Sequence, residues 1–415
     1  MKYRKRILIF MPFFPHPAIR GKDHRVLDMA KYLKRYGHTV HLTCVLDRPL
    51  TFYAGIKLLS QGFSFNVAFP DFGKFRLLRH AAAFFLGNRI VDGLTLKLYP
   101  GTFTPPKLLP KNKKYHVFNG DLLYPSSKDA FQIALKKIVP DIVIINYIHQ
   151  HPLVDIVPKN VLSIIDTHDL LYKRADTLRS AKLPVWMEIN KEEEIGLLKK
   201  FRVILAIQKD EADQLRRLIP DRPVITVPTS FQVLRKPYKA IETKSVMTIG
   251  YASDHGVHGL EWFLRKIWPR VHGLLPDAVL NIYGRIASCF HSDRKLGIKS
   301  VGMVSNVSKA YRKNRLTINP VLVGSGLKIK TVEALCHGKA LVTTAIGSEG
   351  IDMNSSPKPV VVADESDFTE KIVELLQDNE KIKQIEKNAL DYAVKHFTQE
   401  ICYSELIEGI ETYAR

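Results

Sequence analysis

The chain has 415 residues, 46% apolar content and a formal net charge of +21. That length and apolar fraction suffice for two domains with cores of their own, and no apolar run approaches the ~20 residues of a membrane-spanning helix. The four cysteines, at 44, 289, 336 and 402, form no CxxC pair, which argues against a thiolate zinc site and fits a reducing, cytoplasmic setting.

The charge is uneven. Residues 1–150 hold 24 Lys and Arg against 8 Asp and no Glu, which puts +16 of the +21 there. A half so basic suits an anionic surface: phospholipid, a polyanionic glycan or nucleic acid. The opening MKYRKR-ILIFMPFFP resembles a secretion signal in outline, but Pro12 and Pro15 break the run and no small-residue cleavage site follows. A buried first strand over Arg6–Met11 is the expectation. Pro12 to Arg25 reads as a loop containing Gly21, with Arg20 and Arg25 around it. Asp23 is placed to cap a helix whose apolar positions are Val26, Met29, Ala30 and Leu33. A strand follows at Thr39–Leu46. Strand, loop, helix, strand is the opening of a Rossmann-like half.

Residues 50–130 interleave basic and aromatic residues without a clean stripe. Such a stretch, 75–91 especially, suits either a membrane interface or a partly buried helix with loops; no nucleic-acid motif accompanies it, and nucleic acid is not expected as a partner. Asp141–Asn146 and Val161–Asp166 are continuous apolar runs, as parallel strands buried on both faces should be. The second ends in Asp166-Thr167-His168-Asp169, where polar residues of a doubly wound fold face the functional crevice; a helix cap with a satisfied histidine is the plain alternative. Glu192–Glu194 opens a helix and reads as a solvated face. Val203–Ile207 and Val224–Val227 are strands around a helix at Lys209–Leu218, and Phe231–Thr243 reads as a linker. The pattern then restarts: strands at Val246–Gly250, Val279–Tyr283 and Leu316–Asn319, and helices at Leu260–Val271, Ser305–Arg312, Ser366–Gln377 and Lys381–Val394.

The most informative stretch is PVLVGSGLKIKTVEALCHGKALVTTAIGSEGI, Pro320 to Ile351. Gly324-Ser325-Gly326 lets backbone come close to a ligand, and the helix from Leu327 to His337 follows at once. Free amide N–H groups and the helix dipole favour an anion there. Lys328 and Lys330 add charge in the first turn, and Lys330 and Glu333 share one face. A capped helix with two solvated lysines is the plain alternative.

This stretch resembles the donor-binding segment of retaining glycosyltransferases of the GT-B fold, the large family 4, in its G-S-G-x-[KR]-x-K-x-x-E-A form. The commoner family pattern has a glutamate where Ser325 stands. WFLRKIWPRVHGLLPDAVLNIYG, the DTHD segment with Arg174, and the tail from Thr398 resemble the same family. The resemblance implies two Rossmann-like α/β domains facing across a cleft: 1–235 for the acceptor, 245–395 for the nucleotide-sugar donor, and 396–415 crossing back as a helix. It implies that Glu333 holds the ribose hydroxyls, that Lys330 holds the diphosphate, and that the Gly324–Leu327 backbone lies near diphosphate and sugar. Gly302 and Val304 would flank the base, and His168 would orient donor or acceptor. Arg20, Gly21, Arg25, Asp166 and Asp169 would line the acceptor side. The family often carries Arg and Lys after the strand at 246–250; Tyr251–Gly256 lacks both, which shifts the diphosphate charge onto Lys328 and Lys330.

The implied activity is metal-independent transfer of a sugar, with retention, from a nucleotide-diphosphate sugar to a glycan or lipid-linked acceptor. It needs no cofactor, and the basic half adds an anionic membrane surface as a partner. The alternatives are a non-hydrolysing nucleotide-sugar epimerase of the same fold and a non-catalytic nucleotide-sugar or anionic-surface binding protein.

Overall fold

The computed structural model describes residues 4–13, 21–45, 59–60, 62–68, 125–185, 187–236, 238–239 and 241–414. The expectations for Arg20, for 75–91 and for most of 50–130 lie outside these residues.

Seven strands make the first sheet: β1 (Arg6–Met11), β2 (Thr39–Val45), β3 (Ser64–Ala68), β4 (Ile142–Asn146), β5 (Leu162–Asp166), β6 (Val203–Ala206) and β7 (Val224–Thr226). Their order is β3-β2-β1-β4-β5-β6-β7, and every pairing is parallel. Ile7–Met11 and Ile142–Asn146 are buried along their whole length because helices cover both faces. The second sheet is β8 (Ser245–Ile249), β9 (Val279–Tyr283), β10 (Ile298–Gly302), β11 (Leu316–Asn319), β12 (Leu341–Thr343) and β13 (Val361–Val362). Its order is β10-β9-β8-β11-β12-β13, again all parallel. Strand order reverses between β1 and β4 and between β8 and β11. In open α/β sheets the ligand crevice lies beyond the carboxyl ends at such a reversal.

Several local expectations change. The first helix runs Gly21–Arg35, so Asp23 sits inside its first turn and does not precede it. The helix expected to begin at Leu260 begins at Asp254 and widens into a π turn over Phe263–Ile267, where Trp268 N–H bonds to the Phe263 carbonyl. Pro269 explains the widening: it has no N–H, and its ring would strike the carbonyl one turn back. Glu194 is not part of a solvated face. It is fully buried, and its two oxygens accept the N–H groups of Leu171 and Tyr172, capping the helix Leu171–Ser180. Burial pushes its pKa up to about 7 against those two bonds.

The last helix, Gln399–Tyr413, lies against the first domain. Tyr403 OH and Gln399 Nε2 both donate to Asp28 on the helix Gly21–Arg35, and Glu405 accepts the Thr226 N–H at the end of β7. Among the described residues no helix is long and apolar enough to cross a membrane.

Candidate active site

The two domains meet at the glycine loop. Gly324 and Gly326 have φ of 128° and 77°, a region that strains any residue with a Cβ. The loop reaches over to the first domain: Gly324 N–H donates to Thr177 Oγ1 at 3.0 Å, and Ser325 Oγ donates to Asp169 Oδ2 at 2.9 Å. A Cβ on Gly326 would stand 2.9 Å from the Asp169 Cβ, so this approach requires glycine. Ser325 thus links the loop to the DTHD segment. A second close approach lies at the two helix starts, where a Cβ on Gly21 would come within 2.6 Å of the Ile329 side chain. Two positive helix ends therefore converge on the cleft.

The helix itself is Ile329–Cys336. Lys328 departs from its expected place on a diphosphate. Its Nζ donates to Glu349 at 2.6 Å and to the Gly326 carbonyl at 2.8 Å, so its charge is already matched. Lys330 is different. Its amine lies above Gly250 at the end of β8, 3.2 Å from where a Cβ there would sit. Burial lowers its pKa to about 8, and Lys328 adds to the shift. Glu333, one turn further along, accepts a hydrogen bond from Tyr311 OH at 3.2 Å. Burial raises its pKa to about 7 against that bond. No opposite charge among the described residues offsets either shift. A cation and a carboxyl thus share one face of a short helix behind a glycine loop.

The opposite wall comes from the first domain. Tyr147 and His168, just past β4 and β5, have φ of 70° and 64° and stack at 4.0 Å. Strained non-glycine backbone of this kind concentrates at functional sites. Asn146 Nδ2 donates to the Phe10 carbonyl at 2.8 Å, which leaves its Oδ1 to accept from His168 Nε2 at 2.8 Å. That network assigns the proton to Nε2 and leaves Nδ1 as an acceptor. Burial holds His168 down to about 4, so the ring is neutral at neutral pH.

Arg25 and Asp166 are not available to an acceptor. Both are fully buried and bound to each other, and Arg25 also donates to the Val227 carbonyl at 2.7 Å. Their role is to hold the wall, since helix, β5 and the end of β7 all meet at this pair. Asp169 is likewise engaged by Arg174 and Ser325. Gly302 ends β10 with φ of 84°, and its carbonyl accepts from Gly284 N–H at 2.8 Å; Val304 follows, partly buried against the core.

Sequence reasoning missed Tyr311, Gly250 and His255. Tyr311 is fully buried and holds Glu333 from a helix 22 positions earlier, a contact that no local pattern announces. His255 lies near Lys330 and Lys328 and is lowered to about 4, chiefly by burial. A glycine ending a strand just before a loop was the one available signal for Gly250.

Residues 243–378 match the family described as Glycosyl transferases group 1. This segment is similar to the glycosyltransferase domains of that family. It contains β8 to β13, Gly250, Tyr311, the glycine loop, Lys330 and Glu333. Solved structures share the fold across almost the whole chain. A point mutant of S. aureus TarM, in complex with Fondaparinux, alpha-GlcNAc-glycerol and UDP, superposes with a TM-score of 0.69 at 11% identity, covering 97% of this chain and 99% of that one. The pneumococcal O-GlcNAc transferase GtfA, in complex with UDP and GlcNAc, gives 0.65 at 12% identity over 99% of both chains. Sucrose-phosphate synthase from Thermosynechococcus elongatus gives 0.64 at 11% identity over 99% of both. The architecture is GT-B. A curated relative from Klebsiella pneumoniae, "Uncharacterized 44.6 kDa protein in cps region", is 26% identical over 223 residues, 50% of this chain and 56% of that protein. The match thus spans little more than half of the relative's length.

Proposed function

We propose that this chain is a retaining glycosyltransferase that moves a sugar from a nucleoside-diphosphate donor to a glycan or lipid-linked acceptor, in cell-envelope or extracellular polysaccharide or glycolipid synthesis. The observation that carries it is the Lys330–Glu333 face behind the Gly324–Gly326 loop, inside a glycosyltransferase group 1 domain. The UDP in the TarM and GtfA structures and the cps region of the Klebsiella relative support the donor class and the setting.

In this reading Glu333, held by Tyr311, accepts the ribose hydroxyls. Lys330 and the free N–H groups at the helix start face the diphosphate. The bond from the sugar C1 to the diphosphate oxygen breaks, and the acceptor oxygen bonds to C1 on the same face. The acceptor proton passes to the departing phosphate oxygen. Charge grows on that phosphate in the transition state, and fixed donors in a low-dielectric cleft stabilise it without reorganising. Lys330 supplies the positive charge, so the reaction is proposed to run without a metal. Neutral His168 presents Nδ1 to a sugar hydroxyl.

The test is release of nucleoside diphosphate from a panel of nucleotide sugars, with and without glycan or polyprenyl-linked acceptors. Acceptor-dependent release in EDTA is the expected result. Turnover of the donor without any acceptor, with inversion at a sugar carbon, supports the epimerase instead. Absence of nucleoside-diphosphate binding removes the reading.

A further inference from the structure

A cavity of about 240 Å³ opens between the domains beside the glycine loop. Lys173, Gln208 and Glu211 line it from the first domain, and Gly324, Ser325 and Glu349 from the second. A single water needs only about 10–15 Å³, so the volume suits a sugar ring. Glu211 is 1% exposed and Gln208 7% exposed. Among the described residues neither Glu211 oxygen meets a hydrogen-bond donor, and neither does Gln208 Oε1. Gln208 sits close enough to act on the Glu211 carboxyl as a hydrogen-bonding neighbour, which lowers its pKa, but the contact falls short of ordinary hydrogen-bond geometry. Buried polar atoms are nearly always paired, and a carboxyl and an amide oxygen left unpaired at one cavity call for a ligand whose groups both donate and accept. A sugar's hydroxyl groups do both, and the glycine loop forms the shared wall.

We propose that Glu211 and Gln208 bind vicinal hydroxyls of a sugar ring and so set which sugar this enzyme accepts. The proposal rests on the glycosyltransferase reading above. Burial, with Asp169 nearby, raises the Glu211 pKa to about 8, so at neutral pH the carboxyl keeps its proton. A protonated carboxyl donates to one hydroxyl and accepts from the next. The neutral form also suits a neutral ring. Selectivity follows from the same chemistry, because a sugar lacking the matching hydroxyl leaves these buried atoms unpaired.

The sugar is either the one carried by the donor or the terminal one of the acceptor, and one experiment separates them. Calorimetry compares UDP, GDP and ADP with their glucose, galactose and N-acetylglucosamine conjugates, for the wild type, Glu211→Ala and Gln208→Ala. Weakening of a nucleotide sugar by about tenfold, with the free nucleotide bound as before, assigns the cavity to the donor sugar. Unchanged donor binding with a rise of similar size in acceptor KM assigns it to the acceptor. The unchanged free-nucleotide affinity also shows that each variant is folded. Full retention of both quantities and of sugar preference in the two variants overturns the proposal alone. A wild type that binds no nucleotide overturns the glycosyltransferase reading, and this proposal falls with it.

Discussion

Arg25 and Asp166 are joined by two hydrogen bonds, at 3.0 and 2.8 Å, with neither side chain exposed. A buried pair of this kind is costly to break because the remaining charge has no solvent. Arg25→Ala is expected to cost about 3–5 kcal/mol, read as a fall in the urea midpoint. A loss under about 1 kcal/mol would show that Asp166 finds another partner. The pair also sets an acid limit. Arg25 and the bonds it donates hold Asp166 below the ordinary carboxylate range. Its contribution is therefore present above the ordinary carboxylate pKa and is lost as pH falls through the lowered folded value.

The space above Gly250 belongs to Lys330. A methyl at 250 would stand 3.2 Å from the amine and 3.6 Å from Ile286 Cγ2. The residue does not need a left-handed backbone, so Gly250→Ala is expected to fold. It moves the amine and should weaken nucleoside-diphosphate binding about tenfold, the value of one charge-assisted bond. Calorimetry with UDP decides it; wild-type affinity in a folded variant places the diphosphate elsewhere.

Glu333 and Lys330 predict a narrow pH optimum for nucleotide binding. Glu333 gains its charge as pH rises through about 7, and Lys330 loses its charge as pH rises through about 8. Affinity should climb to that window and fall beyond it. Glu333→Gln should flatten the acid limb and leave the alkaline one. A flat profile across both limbs in the wild type would mean that neither ionisation matters to the ligand.

Much of this was readable from residues alone. Ile142–Asn146 announced a parallel strand because both its faces are covered, and continuous apolar sequence is what that environment selects. The glycine loop and its helix were legible because chain geometry and phosphate chemistry fix them locally. Glu194, Arg25 and Lys328 were not. Each is a charged residue whose partner lies 21 to 141 positions away, so its type suggested solvent or ligand while the fold had already matched it. Glu211 escaped for the opposite reason: a glutamate in an otherwise amphipathic helix looks solvated, and only the packing shows that water is excluded.

Residues 1–150 carry +16, far more than one diphosphate needs. Peripheral docking on an anionic leaflet is the expected use, each Lys or Arg near the surface contributing about 1 kcal/mol. Co-sedimentation should require anionic lipid and weaken as salt rises. Equal pelleting with neutral vesicles would point to apolar insertion, and none at all to a soluble acceptor.

The helix Gln399–Tyr413 completes a domain whose first strand lies near the other end of the chain. Tyr403 and Gln399 reach Asp28, and Lys5 Nζ donates to the Ala414 carbonyl. On the ribosome the first domain therefore emerges early but lacks one of its covering helices until the whole second domain has been made. Domains ordinarily fold as they emerge. Until then Tyr32, Ile225 and the end of β7 lack the helix that covers them, so folding of the first domain is completed from the far side of the second.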